Sequence, residues 1–150
     1  MAGLSLEVWF NTYALDGIQT PFSKYAISTF TEQNFNQLLN DSKYRLLVSA
    51  EDIYIRGYVL VNMESIYESG QNGFEIDKLY VHTPFQGKGI GKSLLSEVRR
   101  RYGEKFWLHT WVHNKSIEFY KKYGFRDVGR YAFRFGDEEI DNRALCYSGA

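Results

Sequence analysis

Apolar residues recur along this chain first with a helical period and then with the period of a strand. Leu6, Trp9, Phe10 and Tyr13 fall at i, i+3, i+4 and i+7 and predict an amphipathic helix from near Leu4, ended by Asp16-Gly17. Thr31 reads as the N-cap of a second helix, with Phe30 and Phe35 at the two ends of a hydrophobic staple and Leu38 and Leu39 extending the apolar face. Tyr44 to Ala50 and Ile53 to Val61 are rich in Tyr, Val, Ile and Leu and predict an antiparallel strand pair. Phe74 to Val81 is a third strand with a phase slip: Phe74 and Ile76 hold even positions, Leu79 and Val81 odd ones. Strict alternation cannot keep both pairs on one face, so a bulge near Lys78 is expected.

The helical period returns with Ile90, Leu94, Val98 and Tyr102, spaced by four and stopped by Gly103. Phe106 to Val112 is another strand, and Asn114 caps a short helix carrying Phe119, Tyr120 and Tyr123, closed by Gly124. Arg130 to Phe135 and Ile140 to Tyr147 form a hairpin around Gly136-Asp137. Helix, helix, three strands, helix, strand, helix and two strands make an α/β (α+β) fold, with a mixed sheet flanked by about four helices.

Composition narrows the function classes. The 150 residues suit one domain spanning 1–150, and 44% hydrophobic residues supply a full core. Eighteen basic residues against eighteen acidic ones argue against a protein held to nucleic acid or an anionic membrane by bulk charge. Cys146 is alone, so no intrachain disulfide forms, and the reading is a reducing, cytoplasmic location. No export signal and no apolar run near the roughly 18 residues of a membrane span is present. His82 and His113 lack nearby cysteine or acidic partners, so no metal site is expected.

The chemistry concentrates in Gln86-Gly87-Lys88-Gly89-Ile90-Gly91-Lys92-Ser93, which joins the bulged strand to a helix. Glycines let the backbone turn its N–H groups inward, and with the positive end of the helix and two lysines they form a cradle for a pyrophosphate. A P-loop would need glycine at position 86, which is Gln, and a dinucleotide fingerprint from Gly87 would need glycine at 92, which is Lys.

The chain resembles the Gcn5-related N-acetyltransferase (GNAT) superfamily. Its signature Q/R-x-x-G-x-G/A matches Gln86, Gly89 and Gly91 behind a strand and ahead of a helix. A second block, Asn before a short helix ending F/L-Y-x-x-x-G-F, matches Asn114, Phe119, Tyr120, Gly124 and Phe125, and the likeness runs from about residue 44 onward. The resemblance implies acetyl-coenzyme A as acyl-donor cosubstrate, with Gly87, Lys88, Gly89, Ile90, Gly91 and Lys92 around the pyrophosphate. It also implies that the Leu79-Tyr80-Val81 backbone pairs with the pantetheine arm and that Asn114 contacts it. The strand holding Leu79 and the strand holding Trp107 to Val112 then splay around the thioester.

An acceptor ammonium must lose a proton before it attacks a thioester, so a base is needed there. Glu75 matches the glutamate base of the histone-acetylating members, and His109 matches a glutamate of the ribosomal-protein-acetylating members. Either serves, directly or through water. Tyr120 matches the tyrosine that protonates the departing sulfur, and the Leu79 N–H is the expected oxyanion donor. The implied activity is acetyl transfer to a primary amine of a small molecule or of a protein. The rival is a noncatalytic acyl-coenzyme A binding module, which needs the cradle but neither base nor Tyr120. The family usually begins with a strand, and here a helix comes first. The sheet edge left open predicts pairing with a second copy as a homodimer, or cover from a short strand elsewhere.

Overall fold

In a computed structural model, which describes residues 1–149, five helices and six strands form three layers. Three helices come first: α1 (Ala2–Tyr13), α2 (Thr20–Thr29) and α3 (Glu32–Leu39). The strands β1 (Tyr44–Glu51), β2 (Tyr54–Asn62) and β3 (Phe74–Val81) follow, then α4 (Ile90–Tyr102), β4 (Phe106–Trp111), α5 (Ser116–Tyr123), β5 (Arg126–Phe135) and β6 (Glu138–Tyr147). The five helices exceed the four expected because α2 carries a weak apolar stripe of Phe22, Tyr25 and Ala26, with Pro21 in its first turn as the start signal. Thr31 caps α3 as its sequence indicates, its hydroxyl accepting from Asn34 N–H at 3.1 Å.

The sheet order is β1-β2-β3-β4-β6-β5. Strand β2 is buried on both faces. Val59 and Val61 join Leu94, Leu95, Val98 and Phe106 under α4, whereas Tyr58 and Leu60 join Trp9, Ala26, Phe30 and Phe35 under α1 to α3. Burying these rings and branched chains supplies the drive that holds helices to both faces. Tyr58 resolves its own polarity: its buried hydroxyl bonds Ser5 Oγ at 2.6 Å, tying α1 to the sheet centre.

Two irregularities shape the middle. Leu60 pairs with Lys78 and Val61 with Ile76, so Asp77 is the extra residue of a β3 bulge, beside the position the phase slip indicated. Strand β3 runs parallel to β4, yet the pairing covers only Phe74 with Phe106 and Glu75 with Trp107. Beyond those two pairs the strands part. Strand β1 is an edge, and among the described residues no other strand covers it.

Candidate active site between the parted strands

Ladder alternation decides which main-chain groups face the gap. His82 N–H donates to Arg56 C=O at 2.8 Å, so the in-register pairs Tyr58/Tyr80 and Leu60/Lys78 are also hydrogen-bonded ones. Leu79 and Val81 therefore turn their N–H and C=O away from β2 and toward β4, whereas the main chain of Tyr80 is spent on β2. The free Leu79 N–H thus follows from its place in the ladder. From the other side, Val112 N–H bonds Asp141 C=O at 3.0 Å, which by the same alternation turns the main chain of His109 and Trp111 into the gap.

A groove of about 730 Å³ runs from this gap to the start of α4. Leu79, Val81, Gln86, Gly87, Gly89, Ile90, Gly91, Lys92, Asn114 and Tyr120 line it. Gly87 and Gly89 have φ of +75° and +87°, and a Cβ built on either meets nothing within 4 Å. The turn is thus left-handed backbone open to the groove, and the first N–H groups of α4 have no partner within the helix. That arrangement fits a diphosphate with no side chain in the way. Gly91 serves differently: a Cβ there would lie 3.2 Å from Phe119 Cζ, so this glycine lets α5 approach the first turn of α4. Lys88 is not part of the lining; its Nζ lies 5.2 Å from the centre of the Phe85 ring. Gln86 Nε2 donates to Val81 C=O at 3.0 Å, holding the turn against the strand.

At its inner end the groove meets a cavity of about 160 Å³. Val8, Thr12, Leu79, Asn114, Ser116 and Tyr120 line both. Asn114 is fixed by two bonds, Nδ2 to Thr110 Oγ1 at 2.8 Å and Oδ1 from Ser116 N–H at 2.9 Å, the second of which starts α5. That start aims Tyr120, 7% exposed, at the junction, and burial keeps its phenol protonated far above the ordinary value.

Glu75 and His109 come together. His109 Nε2 lies 3.6 Å from Glu75 Oε1, and Asn142 Nδ2 bonds His109 Nδ1 at 2.8 Å. His109 lines the inner cavity, whereas Glu75 stands behind it, 8% exposed and outside both linings. Burial holds the His109 imidazole down to about 4 against a smaller opposing pull from Asp77, so the ring is neutral near pH 7. The same burial pushes the Glu75 carboxyl above its usual range. Tyr131 stacks on the ring at 4.2 Å, fixing its plane.

Sequence reading missed Asn142. Ile140, Asn142, Ala144 and Cys146 share one face of β6, and a polar residue in that buried series was the available signal. Val8 and Thr12 of α1 were also missed, because a helix before the sheet gives no local cue that it borders a groove built mainly after it. Cys146 is core, its thiol pushed up by burial. Among the described residues no cluster of metal-ligating side chains occurs. None of the described helices is long and apolar enough to cross a membrane.

The comparisons with known proteins agree. The uncharacterized N-acetyltransferase of the pepI 3′ region of Lactobacillus delbrueckii subsp. lactis is 27% identical over 145 residues, spanning 90% of this chain and 82% of that protein. The PaiA N-acetyltransferase of Thermoplasma acidophilum, solved with coenzyme A, shares the fold at a TM-score of 0.73 and 18% identity, covering 95% of this chain and 88% of the other. The ribosomal-protein-alanine N-acetyltransferase of Brucella melitensis superposes at a TM-score of 0.69 and 20% identity, over 97% and 90% of the two chains. The model of the acetyltransferase (GNAT) domain matches residues 42–127, a stretch that holds the bulged strand, the glycine turn, the parted β4 and the Asn114–Tyr120 segment. This chain therefore belongs to the GNAT acetyltransferases, whose acyl donor is acetyl-coenzyme A.

Proposed function

We propose that the chain transfers acetyl from acetyl-coenzyme A directly to a primary amine, with no acyl-enzyme intermediate. The observation that carries this reading is the junction of the two cavities, where Leu79 and Tyr120 border both and His109 borders the inner one. Acetyl-coenzyme A enters along the groove with its diphosphate on the glycine turn, and the amine arrives through the inner cavity.

The ammonium first gives a proton to the Glu75–His109 pair, directly or through one water. Its lone pair then forms the N–C bond at the thioester carbon, and the Leu79 N–H stabilises the oxyanion. As the C–S bond breaks, the thiolate takes the proton of Tyr120 Oη. Tyr120 suits that role by its place, bordering both cavities, and burial keeps it protonated at neutral pH. No cysteine lies in the site to carry the acetyl group, since Cys146 is buried outside both linings.

The test is release of free thiol from acetyl-coenzyme A with a panel of amines, together with mass spectrometry of the acetylated product. Calorimetric binding of acetyl-coenzyme A without turnover on any amine would favour the binding module instead. A residue acylated during turnover would remove the direct-transfer reading.

A further inference from the structure

The inner cavity narrows the choice of acceptor, an inference that rests on the acetyl transfer proposed above. Its volume is about 160 Å³, close to the roughly 150 Å³ apolar cavity known to hold one benzene ring in another protein. Its wall is aromatic and comes from distant parts of the chain: Trp9 and Tyr13 in α1, Tyr25 in α2, Phe30 behind it and Phe133 in β5. The rings brace one another, with centroids 5.3 Å apart for Trp9 and Tyr25 and 6.0 Å for Tyr25 and Phe133. Tyr25 also packs on Phe135 at 4.4 Å and so closes α2 onto the β5–β6 hairpin.

Polar side chains line it too, Thr12, His109, Thr110, Asn114 and Ser116 among them, and one polar atom is unmet. Asn142, 1% exposed, donates through Nδ2 to His109, while its Oδ1 is buried with no hydrogen-bond partner among the described residues. A buried acceptor without a donor is costly, so a ligand N–H that reaches it gains more than an ordinary surface contact. Asp77 and Lys78 both line the cavity and pair with each other, Nζ to Oδ1 at 3.3 Å, so the wall carries no net charge and no unpaired ion. Electron-rich ring faces attract a single ammonium.

We propose that the acceptor is a compact primary monoamine whose uncharged apolar body is about the size of one aromatic ring, its N–H donating to Asn142 Oδ1. A second ammonium, as in a polyamine, would be stripped of water in a wall whose carboxylate, Asp77, is already paired with Lys78. A carboxylate, as in a free amino acid, would meet Asp77 and the aromatic wall, with Lys78 already paired to Asp77. A peptide chain exceeds the volume.

The experiment compares kcat/KM by thiol release for benzylamine, 2-phenylethylamine, spermidine, phenylalanine and a short peptide with a free N terminus. The phenyl monoamines are expected to exceed the other three by about tenfold or more. Spermidine, phenylalanine or the peptide matching them overturns this inference and leaves acetyl transfer standing, whereas silence with every amine removes both. Asn142→Leu removes the amide contact and the bond to His109 together, and the kinetics separate them: KM for 2-phenylethylamine should rise about tenfold from the lost contact, kcat should fall from the freed imidazole, and the dissociation constant of acetyl-coenzyme A should be unmoved. An unchanged KM overturns the amide contact. Phe133→Ala enlarges the wall and should shift preference toward 2-naphthylethylamine; a retained phenyl preference would show that the rings do not set acceptor size.

Discussion

The groove and the inner cavity join at one junction but are built by different means. The floor of the groove is main chain, with two left-handed glycines, the open first turn of α4 and the Leu79–Val81 edge all within residues 79 to 92, while α1 and α5 add side chains along its flanks. The cavity is side chain, assembled from α1, α2, β3, β4, α5, β5 and β6. The first can be read from one local segment, and it tolerates change in neighbouring side chains. The second depends on how remote elements pack, so it is sensitive to single side chains and hidden from local pattern.

This contrast can be broken by substitution, and the largest effect is expected where the two regions touch. Tyr120→Phe should lower kcat by about a hundredfold or more and leave the affinity for acetyl-coenzyme A nearly unchanged, as checked by steady-state kinetics beside calorimetry. Equal turnover would take Tyr120 out of the chemistry and reduce the junction to packing.

Next comes a stability effect confined to the cavity. The folded value of His109, about 4, lies below its ordinary value, so its contribution is fully present above about pH 6.5 and is lost as pH falls through the folded value. That contribution is on the order of 3 kcal/mol at about 1.4 kcal/mol per unit. Urea unfolding at pH 7 and pH 4.5 should show His109→Gln losing less stability on acidification than the parent. Glu75 works in the opposite sense: its raised value makes its contribution greatest below the ordinary carboxyl range and lost as pH rises, so Glu75→Gln should stabilise the fold at neutral pH.

Smaller effects test the groove. Gly89→Val forces a branched residue into a φ of +87° and sets its side chain where the cradle is open. Affinity for coenzyme A should fall about tenfold, or about 1.4 kcal/mol, by calorimetry. The smallest change is expected for Lys88→Ala, because Lys88 lies over Phe85 and outside the groove lining. A loss of about twofold, weakening further as salt rises, is the expected result. A Lys88 effect larger than that of Gly89→Val would invert the comparison and make the cradle a matter of lysine charge.

The same division explains what the sequence disclosed. The β3 bulge was legible because Phe74, Ile76, Leu79 and Val81 break phase at a fixed point, and the break lies within one strand. The glycine turn was legible for the same local reason, although Gly91 proved to serve the packing of Phe119. The pairing of Glu75 with His109 was not legible as a contact. Each residue was identified from its own strand, but their 3.6 Å approach depends on β3 and β4 beginning to part just beyond Trp107. Helix α2 stayed hidden because its apolar residues are few and their purpose, covering the hairpin through Tyr25 and Phe135, lies more than a hundred positions away in the chain.

That long reach has a consequence for how the molecule is made. A ribosome delivers the glycine turn and α5 before it delivers Phe133 and Asn142, so the nascent chain holds the elements of the groove while the inner cavity still lacks its last wall. Until the C-terminal hairpin emerges and docks on Tyr25, the rings of the N-terminal helices lack that cover. Synthesis thus completes the wall of the inner cavity last.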